Sequence, residues 1–373
     1  MKTKRGVPAA ALAAFLLPGV LGSLLSLAWA DGGTFLKPLH DIDAVASTVP
    51  ANGDQNPYGV AVVRQMIGGL AEGHILVSNF NNSANQQGTG TTIMRIAPPN
   101  GPASVFAMID AASLPAGACP GGIGLTTALV VLRSGWVIVG SLPTSDGTAA
   151  TAQAGCLLVL NSAGKVVETI VGDPINGPWD MTAVEGDDQT TLFVTNVLNG
   201  TVAGGGNVVN QGTVVRIVLS VGADNMPQVL SETVIGSGFS ERTDPNALVI
   251  GPTGVGLGED GTLYIADTLS NRIQAIANAM SIQSSAGTGT TVSQGVHLKG
   301  PLGLAIAPNG HILTVNGNDR KMVETTPQGD QVAVKPVDIT HIGAGTLFGL
   351  AVEEGGEGVY FVNDGNNMLD LLH

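Results

Sequence analysis

Cysteine is nearly missing from this chain of 373 residues, which has only Cys119 and Cys156. Neither has a second cysteine or a histidine at ligand spacing, which argues against a zinc site, and no Cys-x-x-Cys pair exists to run thiol redox chemistry. Charged residues make up 12% and aromatics 4% of the sequence. No run of Lys or Arg follows Arg5, so there is no basic stripe to neutralise phosphates and nucleic acid is excluded as a partner. The formal net charge of -14 repels anionic membranes as well and suits a soluble protein. Catalytic signatures are also missing: there is no Gly-x-Ser-x-Gly elbow, no His-Glu-x-x-His helix and no haem-attachment motif. Ala163-Gly164-Lys165-Val166 fails as a phosphate loop, because Val159 stands where the earlier glycine belongs and a valine follows the lysine.

What is present in quantity is glycine, 53 residues, with 20 prolines. That composition fits an all-β chain with many turns. Residues 1–30 read as an export signal: Lys2, Lys4 and Arg5, an apolar stretch from Val7, and Ala28-Trp29-Ala30 as the cleavage site. The mature chain then begins at Asp31, is secreted or periplasmic, and holds no later apolar stretch long enough to span a bilayer. In an oxidising compartment Cys119 and Cys156 are expected to form one disulfide.

One phrase recurs six times. Gly251-Pro252-Thr253-Gly254-Val255-Gly256-Leu257 lies over Gly300-Pro301-Leu302-Gly303-Leu304-Ala305-Ile306. Further copies begin at Asn56-Pro57-Tyr58-Gly59, Pro120-Gly121-Gly122-Ile123, Gly177-Pro178-Trp179-Asp180 and Leu347-Phe348-Gly349-Leu350. Each is followed by a second apolar run that closes on a small polar residue: Asn79, Ser141, Asn196, Asp267, Asn316 and Asp364. Short strands bounded by turn formers, repeated radially, make a propeller. The expected fold is therefore a single domain over residues 31–373, a six-bladed β-propeller of four-stranded antiparallel blades. The last copy stops after its third run, and the segment around Phe35 to Ala46 is expected to supply the missing outer strand and close the ring.

The Gly-Pro-x-Gly-hydrophobic phrase with Asp260-Gly261-Thr262-Leu263-Tyr264-Ile265-Ala266-Asp267 and Asn271-Arg272-Ile273 resembles the NHL repeat family. The likeness is close in copies four and five and looser elsewhere. Six-bladed propellers related to that family include sugar lactonases and lyases that work at the channel mouth.

Antiparallel blades place the start of strand one and the end of strand two on one face. That face also carries the long second-to-third-strand connections of copies one to three, 80–91, 142–155 and 197–212. Asp180 departs from the pattern, standing where the other copies have Gly59, Gly122, Gly254, Gly303 and Gly349. With Trp179 and Asn196 it forms the candidate ligand site at the channel mouth. Asp180 and Asn196 are also candidate oxygen ligands for calcium, although a complete site needs six or more oxygens. The preferred functional expectation is a monomeric, non-enzymatic propeller that binds a protein or small ligand on the loop-bearing face, with no cofactor required. The alternative is a metal-assisted lactonase or lyase-like hydrolytic enzyme acting around Asp180. His74 and His311, each after a hairpin glycine, are expected on the surface of the opposite face.

Overall fold

Each repeat folds as the sequence pattern dictates, because runs of aliphatic and β-branched residues alternate with Gly, Asn and Asp turns that let successive strands double back. The computed structural model describes residues 1–2, 33–99, 101–114, 117–222, 225–338 and 345–373. All of the expected export signal except its first two residues lies outside the described residues. Met1–Gly33 and Thr34–His373 are separate compact units, and the second holds the propeller.

Six antiparallel sheets make the blades. Their inner strands are Gln55–Val62, Leu125–Val131, Pro178–Glu185, Pro252–Leu257, Pro301–Ile306 and Leu347–Val352. Consecutive inner strands touch around the ring, and the last returns to the first. The ring closes as expected: Ile42–Ser47 pairs antiparallel with Met368–Leu372 and forms the outer edge of blade six.

The N-terminal segment does a second job that its sequence does not advertise. Residues 35–39 are not strand. Instead Phe35 and Leu36 are buried, and their backbone amides donate to the two carboxylate oxygens of Glu324, both at 2.8 Å. Glu324 lies in the third strand of blade five, is wholly buried, and also accepts from Asn309 Nδ2 at 3.0 Å and pairs with His311 Nδ1 at 2.7 Å. His311 is therefore half-buried and bonded to Glu324 rather than free on the surface.

Every inner strand carries a register shift near its start, as between Pro252 and Val255 and between Pro301 and Leu304. This is where the repeated glycine sits, and neighbouring blades explain it. A Cβ on Gly254 would meet Leu302 O, one on Gly303 would meet Phe348 O, and one on Gly349 would meet Tyr58 O. The glycines of the phrase thus mark the closest approach of adjacent inner strands. Blade two corrects the alignment: Leu129 pairs with Val139 as Met181 pairs with Val194, so Ala128, not Gly122, stands level with Asp180. Gly122 lies in the turn before the strand, with φ 106°. In blade six the second strand ends at Asn363, which faces Leu347, rather than at Asp364.

Blade three breaks the four-strand rule. Its outer hairpin, Val209–Gly222 and Asn225–Asp244, is extended, and a fifth short strand, Leu248–Ile250, folds back on Arg242–Asp244. In blade two Cys119 and Cys156 are bonded, with Cα atoms 5.3 Å apart, tying the turn before the inner strand to the start of the third strand. The link spans 37 residues, so replacing both cysteines by serine should cost about 4 kcal/mol of unfolding free energy through the freed denatured chain. Urea unfolding reads this directly, and an unchanged midpoint would mean that blade two needs no covalent tie.

Candidate active site in the central channel

The channel is built in layers, one residue per blade. The layer just before the phrase glycine consists of Tyr58, Thr127, Trp179, Thr253, Leu302 and Phe348, none more than 4% exposed. Tyr58 stacks on Phe348 at 3.9 Å and on Phe80 at 4.4 Å, and Trp179 tilts against Tyr58 and Phe348 at 6.2 and 6.3 Å. On the loop-bearing side this plate is covered by the link from blade three to blade four, with Leu248 and Val249 buried and Trp179 Nε1 donating to Val249 O at 3.2 Å. Aromatic rings that bury this fully and pair in this way are core, with the indole N–H satisfied by the crossing backbone.

Below the plate lies the layer of Gly59, Ala128, Asp180, Gly254, Gly303 and Gly349, and there a cavity of about 310 Å³ opens between the inner strands. Asp180 is in its wall. Its Oδ1 accepts from Met181 N at 2.8 Å and its Oδ2 from Val255 N at 3.3 Å, so the carboxyl spans blades three and four. Thr195 fixes the backbone beneath it: Asp180 N donates to Thr195 Oγ1 at 3.1 Å, and that hydroxyl donates to Thr253 O at 2.7 Å. Burial pushes the Asp180 carboxyl up to about 8, opposed by the amides of Met181 and Val255. A carboxyl that titrates near neutrality in a cavity is suited to taking and returning a proton.

The other expected site residues are placed differently. Trp179 belongs to the plate and does not line the cavity. Asn196 is buried, and its Oδ1 accepts from Asn176 N at 3.1 Å and Gly177 N at 3.3 Å. It caps the turn into blade three, as Asn316 caps the turn into blade five by accepting from Lys299 N at 3.1 Å. Asp180 and Asn196 thus serve different partners. A calcium ion takes six to eight oxygens, and in this channel Asp180 brings one carboxylate whose oxygens already hold amides. Among the described residues no three His, Cys, Asp or Glu side chains gather as a metal site. The channel side chains alone do not make up a calcium donor set.

The long loops of blades one and two are knitted together rather than loose. Thr144 Oγ1 donates to Gln87 O at 2.6 Å, Gln86 Nε2 to Asp146 O at 3.3 Å, and Gln87 Nε2 to Pro245 O at 2.9 Å in the blade-three link. Sequence reasoning missed the plate, although a large apolar residue before the phrase glycine in four copies was its visible trace.

Other acids, away from the cavity, are also raised by burial. Glu241, on the outer strand of blade three, is fully buried; the Asn199 amide lies close, but neither carboxylate oxygen has a hydrogen bond of good geometry. Burial raises it to about 8, and burial with the nearby Asp338 raises Asp364 and Asp370 to about 7. A raised carboxyl favours the folded state while protonated; that stability is full below the ordinary carboxylate range and is lost as pH rises through 7 and 8. The melting temperature should accordingly fall between pH 5 and pH 9. Glu241→Gln cannot ionise, so it should flatten part of that fall and gain on the parent as pH approaches 8. A variant no more stable than the parent at pH 8 would show that Glu241 finds a partner in solution.

No protein-family model and no curated protein sequence matches this chain. Among solved structures it is similar to the PQQ-bound aldose sugar dehydrogenase of Streptomyces coelicolor, with a TM-score of 0.53 and 12% identity over 89% of this chain and 98% of that one. A gluconolactonase of Xanthomonas campestris gives 0.52 and 12% over 89% and 95%, and the calcium-binding protein regucalcin of Agrobacterium tumefaciens gives 0.51 and 12% over 88% and 93%. At this identity the likeness shows the fold, a six-bladed propeller. It also corrects the expectation of a non-enzymatic binding propeller, because a dehydrogenase and a lactonase, not passive scaffolds, share the architecture. The physical reason is that propeller sites collect single residues from different blades, so the lack of a linear catalytic motif carried no weight.

Proposed function

We propose that this chain is an exported enzyme with NHL-type blades that opens a cyclic ester in its central channel, with Asp180 as the base. The observation that carries this reading is the Asp180 carboxyl, pushed up to about 8 by burial, in the cavity wall at the level of the channel where the other five blades have glycine or alanine. In its ionised form Asp180 takes a proton from water as the water oxygen bonds the carbonyl carbon. The ring C–O bond then breaks, and the proton passes from Asp180 to the departing oxygen. Lactone and water become a hydroxy acid, and the carboxylate is restored. No step is routed through a metal, for the donor-set reason given above. The disulfide supports export, since such bonds persist in oxidising compartments.

The test is proton release from a panel of sugar and amino-acid lactones at constant pH, with wild type and Asp180→Asn side by side and calcium measured in both. Turnover in heavy-oxygen water should place one heavy atom in the product carboxylate. Ring opening without incorporation would mean elimination, and equal rates for the two proteins would remove Asp180 from the chemistry.

A further inference from the structure

The face with the insertions is the closed end of this channel. All six residues of the plate are buried, and the blade-three link lies over them. In the other direction the cavity wall continues to the last residues of the inner strands, including Val62, Val131, Glu185 and Val352, and reaches Arg64, which is exposed. Asp180 itself is 8% exposed, and with the plate above it that exposure is to the cavity.

We propose that substrate reaches Asp180 from the face opposite the long loops, and that Arg64 at this port selects small molecules bearing a carboxylate. The proposal rests on the channel being the reaction site. Arg64 is the only cation on the cavity wall and makes no hydrogen bond or ion pair among the described residues. A guanidinium with free donors matches a carboxylate in two-point geometry, where a lysine would offer only a point charge. Glu185, a second carboxyl on the wall besides Asp180, stands on blade three, and its Oε2 is taken by Arg133 N at 2.8 Å. The small cavity suits a compact metabolite rather than a polymer.

The route is testable without any turnover. Ala351 lies in the cavity wall on blade six, next to the blade of Arg64, and the chain's two natural cysteines are bonded to each other. In Ala351→Cys, thiol-specific methanethiosulfonates of opposite charge report both access and sign. The variant is expected to react while folded, with the anionic sulfonatoethyl reagent about fivefold faster than expected from its cationic trimethylammonium counterpart on a free thiol. Arg64→Ala should erase that preference. Leu248→Ala, which loosens the cover on the other face, should leave the rate unchanged.

A folded Ala351→Cys protein that does not react would overturn the port. A tenfold rise with Leu248→Ala would move access to the loop face, and a charge preference untouched by Arg64→Ala would overturn the assignment of Arg64. Because these rates need no catalysis, a protein that is labelled as expected yet opens no lactone would sink the proposed activity and leave the port standing.

Discussion

Asp180→Asn should lower kcat/KM for lactone opening by a factor of about 10²–10⁴, the usual contribution of a general base, while the protein melts no lower than wild type. Asparagine keeps one oxygen acceptor for Met181 N or Val255 N, which wild-type Asp180 serves at 2.8 and 3.3 Å, but it cannot hold a proton in transit. Its stability is set by linkage. Asp180 is raised from 3.8 to about 8, so ionising it in the folded protein costs stability that is lost progressively across that window as pH rises. Asparagine removes the loss, and the variant should gain on wild type as pH approaches 8. Activity in the wild type should rise with pH through about 8 and then level, because only the ionised form accepts a proton. A profile that falls across that range would make Asp180 an acid rather than a base, and a variant of full activity would make it a structural bridge between blades three and four.

The largest loss of stability is expected at Glu324. Its buried carboxylate holds the amides of Phe35 and Leu36, the side chain of Asn309 and the ring of His311. Glu324→Ala removes the buried acceptor that these four groups share and opens a gap beneath the N-terminal segment, which should cost about 3–5 kcal/mol. The damage should be directional. Phe35 and Leu36 pack in the core between blades five and six, a few residues before the strand Ile42–Ser47 that completes blade six. Losing their anchor should make that strand the first to open, read as early proteolysis before residue 48 and fast amide exchange in Met368–Leu372. Uniform loss of protection over all six blades would show that Glu324 stabilises the ring as a whole and not its closure.

Much of the architecture was legible because it is written locally. Strand and turn preferences repeat with every copy, so counting the phrase counted the blades, and the shortfall after Met368-Leu369-Asp370-Leu371-Leu372 called for a strand from the other end of the chain. The two cysteines left one pairing, and it is formed. Alignment by glycine failed only in blade two, where the inner strand starts later than Gly122 and alanine fills the close approach.

Of the candidate site, one residue was legible. Asp180 stood out because a carboxylate replaced a glycine, but its neighbours could not be read from proximity in sequence. Trp179, adjacent to it, turns into the plate, and Asn196 turns to the backbone of Asn176 and Gly177. The sequence by itself determined the number of blades, the joining of the chain ends and the disulfide, since these follow from short-range propensity repeated in register. Only the tertiary structure decided which end of the channel is closed. Six residues from six blades, each ordinary core by its own chemistry, meet there, and their joint exclusion of water exists only once the ring has formed.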